Sequence, residues 1–106
     1  MISVQVASAS VVGKVLGGKN LDRVLEQEFA ARGSMTANER AAVQSIAFDT
    51  LRHYGLVSAQ LDMLLSAPIS DVPVRHLLLV TLTQLQFSKA GAHAIVDHAV
   101  SALARA

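Results

Sequence analysis

The sequence contains no cysteine. That excludes a disulfide framework, a thiolate metal site and a cysteine nucleophile, and it fits a reducing, cytoplasmic setting. Aromatic side chains are few, namely Phe29, Phe48, Tyr54 and Phe87. They are too sparse for a row of base-stacking platforms of the kind single-strand binders use. There is also no run of one charge: nine Lys and Arg are scattered among eight Asp and Glu for a net +1. Electrostatics alone therefore gives no nucleic-acid footprint. No apolar run is long enough for a membrane span, since His76 to Phe87 is interrupted by Thr81, Thr83, Gln84 and Gln86. The first basic residue is Lys14, so the N-terminus has no charged lead-in of the signal-peptide type.

What is present is apolar and helical. At 106 residues the chain suits one domain with one core, and 52% apolar against 16% charged residues argues against disorder. The apolar positions recur at helical spacing in five to six segments joined by short connections, which predicts an all-α bundle. Thr36 followed by Glu39 reads as a capping box. It opens a helix whose buried face would carry Val43, Ile46, Ala47, Thr50, Leu51 and Tyr54, with Gly55 as its stop. Val57, Leu61, Leu64 and Leu65 mark a short helix ended by Pro68. Ser70 is the expected cap of the next, with Pro73 in its first turn. That helix, apolar nearly all round from Leu77 to Leu85, should be the central element, with Gln84 hydrogen-bonded inside the core. A stripe of Ile95, Val96, Ala99, Val100 and Leu103 follows from Ala92, without a stop signal before Ala106. In the first third, Ile2, Val4 and Val6 alternate like a strand, but Val4, Ala7, Val11, Val12, Val15 and Leu16 fit a helix better. Gly17 and Gly18 would end it, and Asn20 would cap a second helix burying Leu21, Val24, Leu25 and Phe29 up to Gly33.

Three constellations bear on chemistry. Gly13 to Asn20, G-K-V-L-G-G-K-N, approaches a phosphate-binding loop. Asn20 replaces the hydroxyl that would hold magnesium, however, and the preceding segment is helical, so a helix stop followed by a new cap is the better reading. His93 and Asp97 lie one turn apart but lack a third metal ligand, and no local signature joins Ser, His and Asp into a hydrolytic site. Asp49 is spaced to pair with Arg52 or His53 on a polar helix face. That pattern fits either a solvated ion pair or an RNA or partner surface.

The wording of the chain carries more than its periodicity. E-R-A-A-V-Q-S-I-A-F-D-T-L-R-H-Y-G-L-V-S-A-Q-L-D-M-L-L (Glu39 to Leu65), L-L-L-V-T-L-T-Q-L-Q-F (Leu77 to Phe87) and A-H-A-I-V-D-H-A-V (Ala92 to Val100) resemble, in order and interval, the NusB-like domain. G-G-K-N-L-D-R-V-L extends the match more weakly. The L-R-H-Y run at Leu51 to Tyr54 and the L-D at Leu61 and Asp62 resemble the methyltransferase-attached version, the RsmB (Sun/Fmu) type, more than free-standing NusB. The resemblance implies a noncatalytic RNA-docking domain, residues 1–106, at the N-terminal end of a longer protein. The missing part would be an S-adenosylmethionine-dependent domain methylating cytosine C5 in 16S ribosomal RNA, and this chain itself would hold no cofactor or metal.

There are departures. Residues 1–20 contain only Lys14 and Lys19 where NusB proper carries an Arg-rich helix, Thr83 stands where an aromatic residue is common, and Gly91 where proline is. The family's domain continues into a further helix beyond the equivalent of Ala106, so an apolar groove could be left uncovered and drive homodimerisation. Arg52, His53, Arg75, His76 and Lys89 are the candidate RNA contacts, chosen for charge and expected exposure. The alternative is a helical protein-interaction module or a NusB-type antitermination factor. The protein-interaction reading gains if the five residues disperse and loses if they converge, because counterion release needs neighbouring phosphate contacts.

Overall fold

The computed structural model describes residues 2–104, with side chains from residue 4 onward. Among them are six α-helices and no strand: α1 (Ile2–Leu16), α2 (Leu21–Ala31), α3 (Ala37–Arg52), α4 (Tyr54–Leu64), α5 (Val72–Phe87) and α6 (Ala92–Ala104). The chain is all-α, as its periodicity predicts, and the ambiguous first segment is a helix.

The boundaries follow from local chemistry. Gly18 takes φ +105°, a left-handed conformation that suits glycine. Its N–H donates to the Val15 carbonyl and the Lys19 N–H to the Lys14 carbonyl, the paired bonds of a glycine helix stop. The Asn20 side chain then accepts from the Arg23 N–H and starts α2. The Gly-Gly-Lys run thus uses the loop N–H groups internally that a phosphate cradle would direct at a ligand. The capping box of α3 is complete: the Thr36 hydroxyl accepts from the Glu39 N–H at 3.1 Å, and the Glu39 carboxylate from the Thr36 N–H at 2.9 Å.

Two expected boundaries shift. α3 ends at Arg52 instead of Gly55, and Gly55 lies in the first turn of α4. The break is a single residue, His53, whose N–H bonds the Asp49 carbonyl while its own carbonyl accepts from Val57. One helix is thereby handed to the next without a loop, and Tyr54 leaves the buried face of α3 to become 36% exposed. The cap of α5 is Asp71 instead of Ser70, its carboxylate accepting from the Val74 N–H. A carboxylate there also meets the positive end of the helix dipole. α4 ends at Leu64, short of Pro68, and leaves Leu64 exposed.

The centre is shared by two helices. α5 packs on α1, α3, α4 and α6, while α1 packs on α2, α3, α5 and α6. Gln5 near the start of α1 meets Gln84 near the end of α5, and Gly13 meets His76, so the two helices run antiparallel. The main core joins Val4, Ala7, Val11 and Val12 of α1 to Val24 and Leu25 of α2, Val43 and Ala47 of α3, Leu77 and Val80 of α5, and Ala102 of α6. A smaller cluster, Val57, Leu61 and Leu79, fixes α4 to α5.

Polar groups inside are mostly satisfied. Thr81 and Thr83 on α5 donate to the Leu77 and Leu79 carbonyls one turn back. The Gln5 amide donates to Gln84 Oε1 and to the Ile95 carbonyl, tying α1, α5 and α6 together. Gln84 is hydrogen-bonded as expected but is only half-buried, at the margin of the core, and the fully buried amide is that of Gln5. The apolar surface of α5 is not continuous, since Leu85 is exposed, and on α6 Val96 and Val100 face outward beside the buried Ile95 and Ala99.

Candidate nucleic-acid interface

The five candidate contacts fall into two groups. Arg52 is the last residue of α3, exposed, and makes no ion pair among the described residues. Its charge also suits the negative end of the helix. His53 follows as the cap, and its ring stacks on Phe87 with centroids 4.0 Å apart and planes 8° from parallel. Phe87 is the last residue of α5 and Lys89 lies two residues beyond it, exposed, in a connection where the Ser88 hydroxyl accepts from the Ala90 N–H. Arg52, His53 and Lys89 are therefore brought to one end of the bundle, where α3 turns into α4 and α5 stops.

Arg75 and His76 sit near the other end of α5, on the order of 20 Å away along a helix of this length. They point in different directions. Arg75 donates to Asp62 Oδ1 at 2.9 Å and to the Ser58 hydroxyl at 3.0 Å, so its guanidinium braces α4 against α5. His76 is half-buried against α1, in a notch that exists because Gly13 has no side chain: a Cβ there would lie 2.6 Å from its Nδ1. Burial, and secondarily the neighbouring Arg75 charge, holds the His76 pKa below its ordinary 6.5. The expected side-chain pairing of Asp49 with Arg52 or His53 is not made among the described residues. Asp49 contributes its carbonyl to the corner, and the imidazole goes to Phe87.

A second surface bears on the apolar groove expected from sequence, although its lining residues were not named there. An open groove of about 940 Å³ runs between α1, the start of α5 and the end of α6, floored by Val6, Ala9, Gly13, Leu77, Ala102 and Leu103. At one edge Glu28, only 5% exposed, accepts from Arg32 Nε at 2.8 Å and faces Lys14 Nζ at 3.7 Å. Burial pulls the Glu28 pKa upward, but the hydrogen bonds from Arg32 and Ser10 and the charges of Arg32 and Lys14 outweigh it, leaving the carboxyl below its ordinary value. The Glu28–Arg32 spacing was readable as a helical pair; the approach of Lys14 depends on the α1–α2 turn.

His93 and Asp97 are both exposed on α6, and among the described residues no three His, Cys, Asp or Glu side chains gather as a metal site would need. No helix among them is long and apolar enough to cross a membrane.

No curated protein and no solved structure matches the chain. The model of the NusB family does match, over residues 2–106, and it points to an RNA-binding helical domain. With six helices in the described residues and that match along nearly its whole length, the chain belongs to the NusB family.

Proposed function

We propose that this chain is the noncatalytic RNA-docking domain of an S-adenosylmethionine-dependent ribosomal RNA cytosine-C5 methyltransferase, working in the cytoplasm on 16S ribosomal RNA. The observation that carries the reading is the L-R-H-Y run of the methyltransferase-attached type inside a NusB-family chain. Arg52 and His53 of that run stand with Lys89 at one end of the bundle, where the Arg52 and Lys89 cations, without ion-pair partners among the described residues, can neutralise adjacent phosphates. Arg75 and His76 have a smaller part, because one is spent on Asp62 and the other is wedged against α1.

The methyl donor and the nucleophile belong to the remainder of the protein. C5 methylation in the resembling enzymes uses cysteine, which this sequence lacks, and the described residues contain no strand from which a glycine-rich cofactor turn could lead. What this domain supplies is position, and misplacement of a substrate alone costs large factors in rate.

The separation of Arg75 and His76 from Arg52, His53 and Lys89, together with the apolar groove, favours a second reading, a protein-interaction module. The groove's floor of small and branched apolar side chains suits the methyltransferase domain of the same protein or a second copy of the chain.

The test is a titration of the chain into a labelled 16S ribosomal RNA fragment at two salt concentrations, with an unrelated hairpin as control. Preferential binding that weakens with salt supports docking. Absence of binding at low salt sinks it and favours the protein-interaction reading.

A further inference from the structure

The His53–Phe87 pair is the one ring stack among the described residues, and it sits at the surface, where its packing is incomplete. Phe87 remains 41% exposed with one face covered by the imidazole. The rings are nearly parallel, 8° apart, the arrangement that a third flat ring can extend. Both rings are anchored at helix ends, His53 by backbone bonds on either side and Phe87 as the last residue of α5, so the platform is preformed. Exposed cations flank it: Arg52 precedes His53 directly, and Lys89 lies two residues past Phe87. Phe48, half exposed, precedes Arg52 by one turn on the same helix. Half-buried Asp49 is the acid of this corner, and the two exposed cations outnumber it.

We propose that the stacked His53–Phe87 pair is a platform for one unpaired nucleobase of an RNA strand, with Arg52 and Lys89 holding the phosphates beside it. This deepens the RNA-docking reading and rests on it. A flat ring flanked by cations is the chemistry of a nucleotide, since every base offers a π-face and every link a negative charge. A purely apolar protein partner would leave both cations desolvated and unpaired. The sparse aromatics of the sequence supply a single platform instead of a row, so the site takes one base from a loop or bulge and ignores paired bases, whose faces are already stacked.

The test uses the full chain and an adenine-rich RNA single strand carrying one 2-aminopurine, alone or annealed to its complement. The single strand is expected to bind with quenching of the 2-aminopurine, and the duplex to bind more weakly. Phe87→Leu should lose about tenfold in single-strand affinity with an unchanged salt slope, while Phe87→Tyr retains affinity. Thermal unfolding of both variants separates a lost platform from a lost fold, and the quench seen with the unmodified chain does not depend on any variant. Equal binding of strand and duplex, or undiminished binding by a folded Phe87→Leu, overturns the platform and leaves RNA docking standing. No binding of either RNA at low salt also overturns the platform, and the docking reading then stands or falls on the titration with the 16S ribosomal RNA fragment.

Discussion

Gly13 and His76 form the contact whose removal can be reasoned through most fully. Gly13 lies inside α1, where replacing glycine by alanine ordinarily stabilises a helix by about 1 kcal/mol. Here the new methyl would meet His76 Nδ1 at 2.6 Å and Cε1 at 2.9 Å. The ring must retreat by most of an ångström from a half-buried position between α1 and α5. Overpacking of this kind costs about 1–3 kcal/mol. The steric cost exceeds the propensity gain, so Gly13→Ala should be destabilising by roughly 1 kcal/mol. In a His76→Ala background the obstacle is gone, and the same substitution should become stabilising by about 1 kcal/mol. Urea unfolding followed by circular dichroism on the four proteins of this cycle measures both signs and a coupling of roughly 2 kcal/mol. If Gly13→Ala stabilises the protein equally in both backgrounds, His76 does not occupy the Gly13 notch and the antiparallel register of α1 on α5 is wrong.

Three further outcomes are expected. The folded-state His76 pKa lies below 6.5, so the unfolded chain binds the proton first. The associated stability is present above pH 6.5 and is lost as pH falls through the folded pKa, and His76→Ala should flatten that part of the stability–pH curve. Glu28→Gln removes a buried carboxylate from Arg32 and Lys14 and should cost about 1–3 kcal/mol at neutral pH. Since the Glu28 pKa is depressed, its contribution is full above the ordinary 4.5 and fades below it, so the variant and the parent should converge in acid. Thr36→Ala breaks the capping box of α3 and should lower stability by about 1 kcal/mol, read from the urea midpoint with an unchanged slope.

Those parts of the fold that depend on neighbours in sequence were legible. Thr36 with Glu39, Asn20 after Gly17 and Gly18, and the apolar repeat from Ala92 each act within one or two turns, and the structure forms a helix end or helix at each. The misplaced boundaries depend on distant partners. Gly55 looked like the stop of α3, but the corner is at His53, whose ring is held by Phe87 from another helix. Ser70 and Asp71 are both competent caps, and only the completed first turn selects Asp71. On α6 the width of the apolar stripe was readable, but which residues would be covered was not: Ile95 and Ala99 are buried while Val96 and Val100 stay exposed.

The site was partly legible for the same reason. Charge and expected placement at helix ends or polar faces marked Arg52 and Lys89 as exposed, and both are. Arg75 carries the same signals, yet Asp62 and Ser58 on the preceding helix take up its donors. The half-burial of His76 follows from a glycine on α1, a pairing that no local pattern announces.

The most direct test of the docking account is to map amide chemical-shift changes of the isotope-labelled chain on adding the 16S ribosomal RNA fragment. The account predicts changes concentrated at the α3–α4 corner around Arg52 and His53 and at the end of α5 from Phe87 to Lys89, with the groove beside Leu103 unaffected. Changes confined to the groove, or none at low salt, would contradict it.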